Sequence, residues 1–282
     1  MENRTTSLLD GFHEMFDRNQ DHRTKDLFLM SSPIPTMVTV AVYLYAIKVV
    51  LPAYMKNKKP YELKNVILFH NFIQVLISAA LFVGFLLAGW YPLKYDLKCQ
   101  SLKLPDNIEG AGIKIMHVSY GYYVSKFVEL FDTVFFVLRK KDQNVSFLHV
   151  YHHAVMPLWC WGAVKYFPES QMTLYGMINS FIHIVMYTYY MLSAFGPKIQ
   201  KYLWWKKHIT VLQLIQFTIG GIHSFHLLIK GCHVPRLLSF SLFLESIFFF
   251  YMFAQFYLKA YEKKPAKHLA ANGHQNNVKK EN

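Results

Sequence analysis

The chain has 282 residues, of which 53% are hydrophobic and 17% aromatic, whereas only 17% are charged. This composition is too apolar for an ordinary soluble domain with polar ends. The formal net charge of +13 suits contact with anionic lipid headgroups or with a phosphate-bearing molecule. We expect no nucleic-acid partner.

Seven apolar stretches run along the chain, each about as long as the roughly 20 residues that a helix needs to cross a bilayer. Their connecting loops leave no room for a separate soluble domain. We therefore predict an all-α integral membrane protein with a polar lumenal N-terminal segment (1–29), a seven-helix transmembrane domain (30–262) and a cytosolic basic tail (263–282). The predicted spans are 33–54, 66–90, 113–138, 146–166, 172–194, 208–229 and 237–258.

Lysines and arginines concentrate in alternate loops. The loops after the first, third and fifth predicted spans are basic ("MKNKKPYELK", "RKKDQNV" and "GPKIQKYLWWKK"), whereas the intervening loops are balanced by acids or hold fewer cations. Because short basic loops are retained in the cytosol, we predict a lumenal or external N-terminus and a cytosolic C-terminus. The positive charge then lies mostly on the cytosolic face.

The cysteines are few. Cys99 and Cys232 fall in predicted non-cytosolic loops, where an oxidising lumen would allow a disulfide. Two unpaired loop cysteines are the alternative. Cys160 lies deep in the fourth predicted span, where an apolar setting disfavours a reactive thiolate. Cysteine is therefore a poor candidate for chemistry on the cytosolic side.

The fourth predicted span begins with "SFLHVYHHAVM", which holds His149, His152 and His153 within five positions. Residues at i, i+3 and i+4 share one face of a helix, so the three imidazoles form a stripe close to the cytosolic surface. A lone histidine in a membrane helix is most often a packing residue. Three on one stripe indicate a functional site, because polar groups in lipid are costly.

Polar side chains form similar stripes in the third, fifth and sixth predicted spans, within "KFVELFDT", "NSFIHIVMYTYY" and "TVLQLIQ". Taken alone, a Lys126–Glu129 ion pair would only neutralise two charges, and a glutamine stripe would only join two helices. Four stripes at comparable depth predict instead the wall of one enclosed chamber. The stripe residues are Lys126, Glu129, Asp132 and Thr133 in the third span, Asn179, His183, Tyr187 and Tyr190 in the fifth, and Thr210, Gln213 and Gln216 in the sixth.

The segments "KFVELFDT", "HVYHH", "HIVMYTYY" and "TVLQLIQ" resemble, in order and position, the signature motifs of the very-long-chain fatty acid elongase family, the membrane 3-ketoacyl-CoA synthases. The resemblance runs from about Met30 to the last span. It implies condensation of a long-chain acyl-CoA with malonyl-CoA to give 3-ketoacyl-CoA, CO2 and CoA. It also implies a barrel of seven helices around an acyl tunnel that is open to the cytosol and closed toward the lumen.

The same resemblance makes His152 the nucleophile, which would attack the thioester and leave an acyl-imidazole, with His183 from the facing helix in the same site. It implies no cofactor and no metal, since acyl-CoA and malonyl-CoA are substrates. It also implies that a ketoacyl reductase, a dehydratase and an enoyl reductase of the endoplasmic reticulum act on the product.

The chemistry of the residues is compatible with this route. Imidazole is a nucleophile near neutral pH, and an acyl-imidazole is reactive enough to pass on its acyl group. Malonyl decarboxylation yields a carbanion, so the site must exclude water and offer donors to the oxyanion. Glu129 or Asp132 would fix imidazole tautomers; alternatively, His152 acts as a base on a ternary complex. The residues assigned to catalysis are His152, His183, His149, His153, Asp132, Glu129, Lys126 and Asn179.

Other residues are assigned to substrate binding or to closing the tunnel. Arg139 and Lys206 flank the motif-bearing spans at the depth of a CoA nucleotide, although a topology-setting role explains either cation equally well. Phe217, Phe225 and the run 248–250 are candidates for closing the tunnel, although phenylalanine in a membrane helix is usually packing. The stripe residues assigned to substrate binding are Tyr187, Tyr190, Gln213, Gln216 and Thr210.

Two other classes of protein share some of these features. A histidine-box di-iron desaturase or hydroxylase uses HxxHH near a membrane, but needs about eight histidines in three clusters, and this chain has one cluster. A seven-helix receptor or transporter would match the helix count and the external N-terminus. Its pocket should open externally, whereas the polar stripes here cluster toward the cytosolic side.

The C-terminal "KKEN" places Lys279 and Lys280 as in a cytosolic dilysine signal for the endoplasmic reticulum, although chance in a lysine-rich tail is an alternative. We therefore expect a multi-pass protein of that membrane, in contact with its lipids. The sequence is compatible with a homo-oligomer and leaves the preferred acyl chain length open.

Overall fold

A computed structural model describes residues 20–91, 110–230 and 236–262. Within these ranges the regular secondary structure is entirely helical, which confirms the predicted all-α class. The predicted disulfide between Cys99 and Cys232 and the dilysine signal lie outside the described residues.

The helices coincide with the predicted spans to within a few residues. Leu130 alone separates α3 from α4, so these two helices together occupy the third predicted span. A short helix, α7, lies in the basic loop before α8. The bounds are α1 Ile34–Met55, α2 Lys64–Trp90, α3 Ala111–Glu129, α4 Phe131–Leu138, α5 Phe147–Tyr166, α6 Thr173–Ala194, α7 Pro197–Gln200, α8 Lys206–Lys230 and α9 Arg236–Tyr257.

Four of these helices, α1, α2, α8 and α9, are long and apolar enough to cross a membrane. They present large apolar side chains outward: Phe69 is 68% exposed, Ile222 67% and Leu237 77%. Such a surface is unfavourable in water but suits lipid, in which helices satisfy their own backbone hydrogen bonds.

The polar side chains lie inside the bundle, mostly on α3, α5 and α6. Lys126, Glu129, His153, Asn179 and His183 are all buried. α3 packs along α5 and α2, α2 along α6, and α8 along α9. The bundle therefore has an apolar outside, and its interior combines these polar groups with clusters of buried apolar side chains.

The segment before α1 is fastened to the far end of α5. The amide of Asp21 donates to the carbonyl of Lys165 at 2.8 Å, and the buried Lys165 ammonium donates to the carbonyl of Met30 at 2.8 Å. The indole of Trp161 donates to the carbonyl of Leu29 at 3.1 Å. Residues 20–30 thus lie on the same side of the bundle as the loop that follows α5, as the loop charges predict.

Arg23 ties this segment to the loop after α5, because its guanidinium pairs with both Asp21 and Glu169. Its hydrogen bond to Asp21 above all, and the bond to Glu169, raise the pKa of Arg23 above its ordinary value. The charge is therefore present at every physiological pH.

Candidate active site

The three histidines of the predicted stripe occupy the first two turns of α5 and lie together. Ser146 caps the helix by accepting a hydrogen bond from the amide of His149. The ring centroids of His149 and His153 are 4.2 Å apart, and those of His152 and His153 are 5.3 Å apart. Pro157 follows within α5 and has no N–H to donate to the carbonyl of His153.

His149 belongs to a chain of hydrogen bonds that joins three helices. Its Nε2 lies 2.9 Å from the hydroxyl of Thr133 on α4, and that hydroxyl lies 2.7 Å from the hydroxyl of Tyr43 on α1. Thr133 is fully buried. In the sequence, Tyr43 is only a phenol within an apolar span and carries no functional signal.

Asp132 lies in a second polar group. The hydroxyl of Tyr187 donates to its Oδ2 at 2.7 Å, and Nε2 of His70 lies 3.0 Å from its Oδ1. His70 comes from α2, and no sequence pattern assigned it a role. Asp132 therefore orients His70, and among the described residues its hydrogen bonds do not include the histidines of α5.

A third polar group joins α3 to α6. The Lys126 ammonium donates to Oε1 of Glu129 at 2.6 Å and to Oδ1 of Asn179 at 3.3 Å. Nδ1 of His183 lies 3.3 Å from the same oxygen of Glu129, and the hydroxyl of Tyr122 donates to Oδ1 of Asn179 at 2.8 Å. The ion pair thus has further hydrogen-bonding partners, which a buried ion pair needs to be stable.

His152 lines a cavity of about 150 Å³ that runs between α3, α5, α6, α8 and α9. Polar side chains lie near it in the cavity wall, among them Tyr122, Asn179 and Gln216. Along α5 the wall continues from His152 to Phe167, and 15 residues of helix span about 22 Å. The wall beyond His152 is mainly apolar. The cavity therefore has an imidazole at one end and a hydrocarbon lining along most of its length.

The residues of the predicted stripe on α8 lie in different surroundings. Gln216 lines the cavity and accepts a hydrogen bond from Nδ2 of Asn179 at 3.4 Å. Gln213 donates to the sulfur of Met186 at 3.8 Å, and Thr210 is buried. On α6, Tyr190 stacks edge-on against Tyr187 and is partly exposed. Gln216 is the member of the α8 stripe that reaches the cavity.

Arg139 and Lys206 lie at helix ends on one side of the bundle. α3 and α4 run parallel to α6, because Glu129 approaches His183 and, farther along, Asp132 approaches Tyr187. Arg139 at the end of α4 is therefore level with the end of α6, and Lys206 begins α8, the next long helix. Both cations lie on the side where α5 begins with its histidines.

Among the aromatic residues proposed to close the tunnel, Phe217 and Phe249 line the cavity. Phe249 contacts His152, with ring centroids 5.7 Å apart, and therefore lies beside the imidazole end of the cavity. Phe225 packs against Phe243. The opposite end of the cavity is lined by Phe167, Pro168 and Met172.

The buried Cys160 also lines the cavity. In the described parts of the chain, no three or more His, Cys, Asp or Glu side chains converge as a metal site requires. His149, His70 and His183 instead contact Thr133, Asp132 and Glu129, respectively.

Comparison with known proteins agrees with the resemblance drawn from the motifs. The chain matches the model of the ELO: GNS1/SUR4 family over residues 28–269. It is 43% identical over 275 residues to very long chain fatty acid elongase 7 of Drosophila melanogaster, covering 96% of this chain and 83% of the relative. Very long chain fatty acid elongase 4 of Homo sapiens is 41% identical over 256 residues, covering 90% and 80%.

Very long chain fatty acid elongase 7 of Rattus norvegicus is 38% identical over 264 residues, which cover 92% of each chain. These matches confirm the resemblance predicted from the motifs. The several long apolar helices of the structure are consistent with a membrane protein. Because the family match includes all four polar stripes and every helix from α1 to α9, the chain belongs to the ELO (GNS1/SUR4) family.

Proposed function

We propose that this protein is a very-long-chain fatty acid elongase that condenses a long-chain acyl-CoA with malonyl-CoA to give 3-ketoacyl-CoA, CO2 and CoA. The observation that carries the proposal is the position of His152 at one end of a long, mainly apolar cavity. The named relatives are fatty acid elongases and support the same activity.

In this proposal the predicted spans form seven crossings arranged as a barrel around the cavity. α3 and α4 together make the third crossing, and α5 and α6 make the fourth and fifth. The end of the cavity near Phe167 is closed toward the lumen, beneath the segment 20–30. The histidine end faces the cytosol, and the protein resides in the endoplasmic reticulum membrane.

In the first step, a nitrogen of the His152 imidazole attacks the thioester carbonyl. A C–N bond forms, the C–S bond breaks, and CoA leaves as a thiol with the proton given up by the imidazole. The acyl chain lies along the apolar wall, so that only its carbonyl end meets polar groups. In this scheme the donors to the oxyanion are Asn179, which lines the cavity together with His152, and His153, whose ring packs against that of His152.

In the second step, malonyl-CoA loses CO2, and the resulting carbanion attacks the acyl carbon on His152. A C–C bond forms, the C–N bond breaks, and the departing imidazolate takes up a proton from the aqueous medium, which regenerates the imidazole. Exclusion of water protects both the carbanion and the acyl-imidazole. Lys126 and Glu129 hold Asn179 and His183 in place next to this reaction.

Cations at the cytosolic helix ends bind the CoA phosphates in this scheme. Arg139 and Lys206 are on the side where α5 begins, so a nucleotide held there would present its thioester toward His152. In this scheme the two CoA substrates and one proton are consumed. The 3-keto product then requires a ketoacyl reductase, a dehydratase and an enoyl reductase.

The proposal is tested with purified protein, carboxyl-labelled malonyl-CoA and a long-chain acyl-CoA. We expect labelled CO2 to be released only when the acyl-CoA is present, because the carbanion needs an acyl acceptor. Release of labelled CO2 without acyl-CoA, or no release under either condition, would contradict condensation and favour a receptor or transporter.

The covalent route has its own test. Enzyme incubated with acyl-CoA alone, then digested and analysed by mass spectrometry, should yield a His152 peptide with the mass of the acyl group added. An unmodified peptide from enzyme that still condenses would assign His152 to general base catalysis in a ternary complex.

A further inference from the structure

The cavity wall carries a carboxyl group that the proposed condensation does not use. Glu245 on α9 lines the mainly apolar part of the cavity, together with Leu242 and Trp159. Trp159 forms a hydrogen bond with the Glu245 side chain. Oε1 of Glu245 is buried and, among the described residues, has no hydrogen-bond partner.

Glu245 lies partway along the cavity. α5 and α9 run antiparallel, because His152 contacts Phe249 while Trp159 meets Glu245. Seven residues separate His152 from Trp159, which corresponds to about 10 Å along the helix. The cavity wall continues past Trp159 to Phe167, about 12 Å farther. A chain attached at His152 would therefore pass Glu245 near its middle.

The neighbouring polar side chains of the wall already have partners. The hydroxyl of Ser246 donates to the carbonyl of Leu242 at 2.8 Å. Oε1 of Gln216 accepts from Asn179, and the hydroxyl of Thr173 donates to the carbonyl of Ser170. Oε1 of Glu245 is thus the buried oxygen in this part of the wall that is available to a ligand.

A saturated hydrocarbon chain would cover Oε1 of Glu245 without offering it a hydrogen bond, and an unpaired buried oxygen is unfavourable. A hydroxyl group on the chain would pair with it. The carboxyl group accepts that bond when ionised, and accepts or donates it when protonated. A site that hydrogen-bonds a substrate hydroxyl discriminates strongly against the analogue that lacks it.

We propose that Glu245 is a specificity-determining residue that binds a hydroxyl group in the middle of the acyl chain, so that hydroxylated long-chain acyl-CoAs are a preferred substrate class. This inference rests on the proposed elongase function. It concerns which chain occupies the cavity rather than the chemistry at His152.

The test compares two acyl-CoAs of equal length, one saturated and one with a mid-chain hydroxyl, in elongation by wild type, Glu245→Leu and Glu245→Gln. We expect wild type to favour the hydroxylated chain by about tenfold or more in kcat/KM. Glu245→Leu should reverse that preference, whereas Glu245→Gln, which keeps a hydrogen-bonding oxygen, should retain most of it. Leu244→Ala on the exposed side of α9 is the matched control and should leave the ratio unchanged.

A binding measurement separates this inference from the proposed function. Each chain is competed against a fluorescent acyl-CoA on the same purified variants. A binding preference lost in Glu245→Leu supports the inference even if no variant elongates anything, in which case only the proposed function fails. Equal ratios for wild type and Glu245→Leu in binding and in elongation overturn the inference and leave the elongase assignment intact.

Discussion

The two halves of α5 have different surroundings in the bundle. The first half carries His149, His152 and His153, and its neighbours on α3, α4 and α6 are tied together by side-chain hydrogen bonds. The second half, beyond Pro157, lines the cavity mainly with apolar side chains and ends beneath residues 20–30.

This difference shows how one helix can serve two physical tasks. Reactive groups need rigid polar neighbours that fix orientation and protonation, and the first half has them. A hydrocarbon chain needs a long apolar surface with few polar groups, and the second half supplies it. Substitutions in each half should therefore have different consequences.

The largest effect is expected in the histidine half. His152→Ala removes the proposed nucleophile. The rate of condensation should therefore fall by about 100- to 10,000-fold, the usual contribution of a positioned acid or base. The measurement is release of labelled CO2 at saturating acyl-CoA, with the thermal midpoint as a check on folding. His117→Ala, at an exposed position on α3, is the matched control. Wild-type turnover in His152→Ala would contradict the site.

The next effect concerns the polar neighbours of that half. Lys126→Met leaves the Glu129 carboxylate buried without its ammonium partner, and breaking a buried pair in this way costs about 3–5 kcal/mol. We expect a large drop in the thermal midpoint in detergent, and substantial recovery when Glu129→Gln is added. Lys114 is exposed on the same helix, and the thermal midpoint of Lys114→Met should equal that of wild type. Failure of the double variant to recover would mean that the ion pair is not the cause.

In the apolar half, a substitution should change which chain fits rather than whether the reaction occurs. Ala163 lines the cavity about 16 Å along α5 from His152. Ala163→Phe should shorten the available space, so products should shift to shorter chains while short acyl-CoAs are elongated at nearly the wild-type rate. The measurement is the product profile over acyl-CoAs of graded length.

Gly162→Ala is the matched control for that experiment, because a Cβ at position 162 would meet open space. It should leave the product profile unchanged. An equal loss of rate for short and long chains in Ala163→Phe would show that the second half of α5 is not the chain-holding wall.

The smallest effect is expected at the helix ends on the histidine side of the bundle. Lys206→Glu should raise the KM for acyl-CoA by about three- to tenfold with little change in kcat. Loss of an exposed charge contact costs about 1 kcal/mol or less, and the reversed charge adds repulsion to that loss. Lys59→Glu makes the same charge change in the basic loop after α1 and should have a smaller effect. An unchanged KM would assign Lys206 to topology alone.

The positions of the helices were predictable from sequence, and so was the sharing of one face by His149, His152 and His153. Hydropathy and helical periodicity are local properties, so each span carries its own evidence. The order of the polar motifs was likewise sufficient to identify the family. The sequence did not indicate which imidazole Asp132 would meet, and in the structure its hydrogen bonds go to His70 and Tyr187.

By itself, the sequence determined an all-helical membrane protein with polar stripes on several helices, because the period of 3.6 residues places those side chains on shared faces. Only the tertiary structure decided that His70 meets Asp132, that Tyr43 reaches Thr133 and that Glu245 faces the cavity. These pairings depend on how helices far apart in the chain rotate and pack against one another. No local pattern encodes that rotation, since a single phenol, imidazole or carboxyl group in an apolar helix gives no indication of its partner.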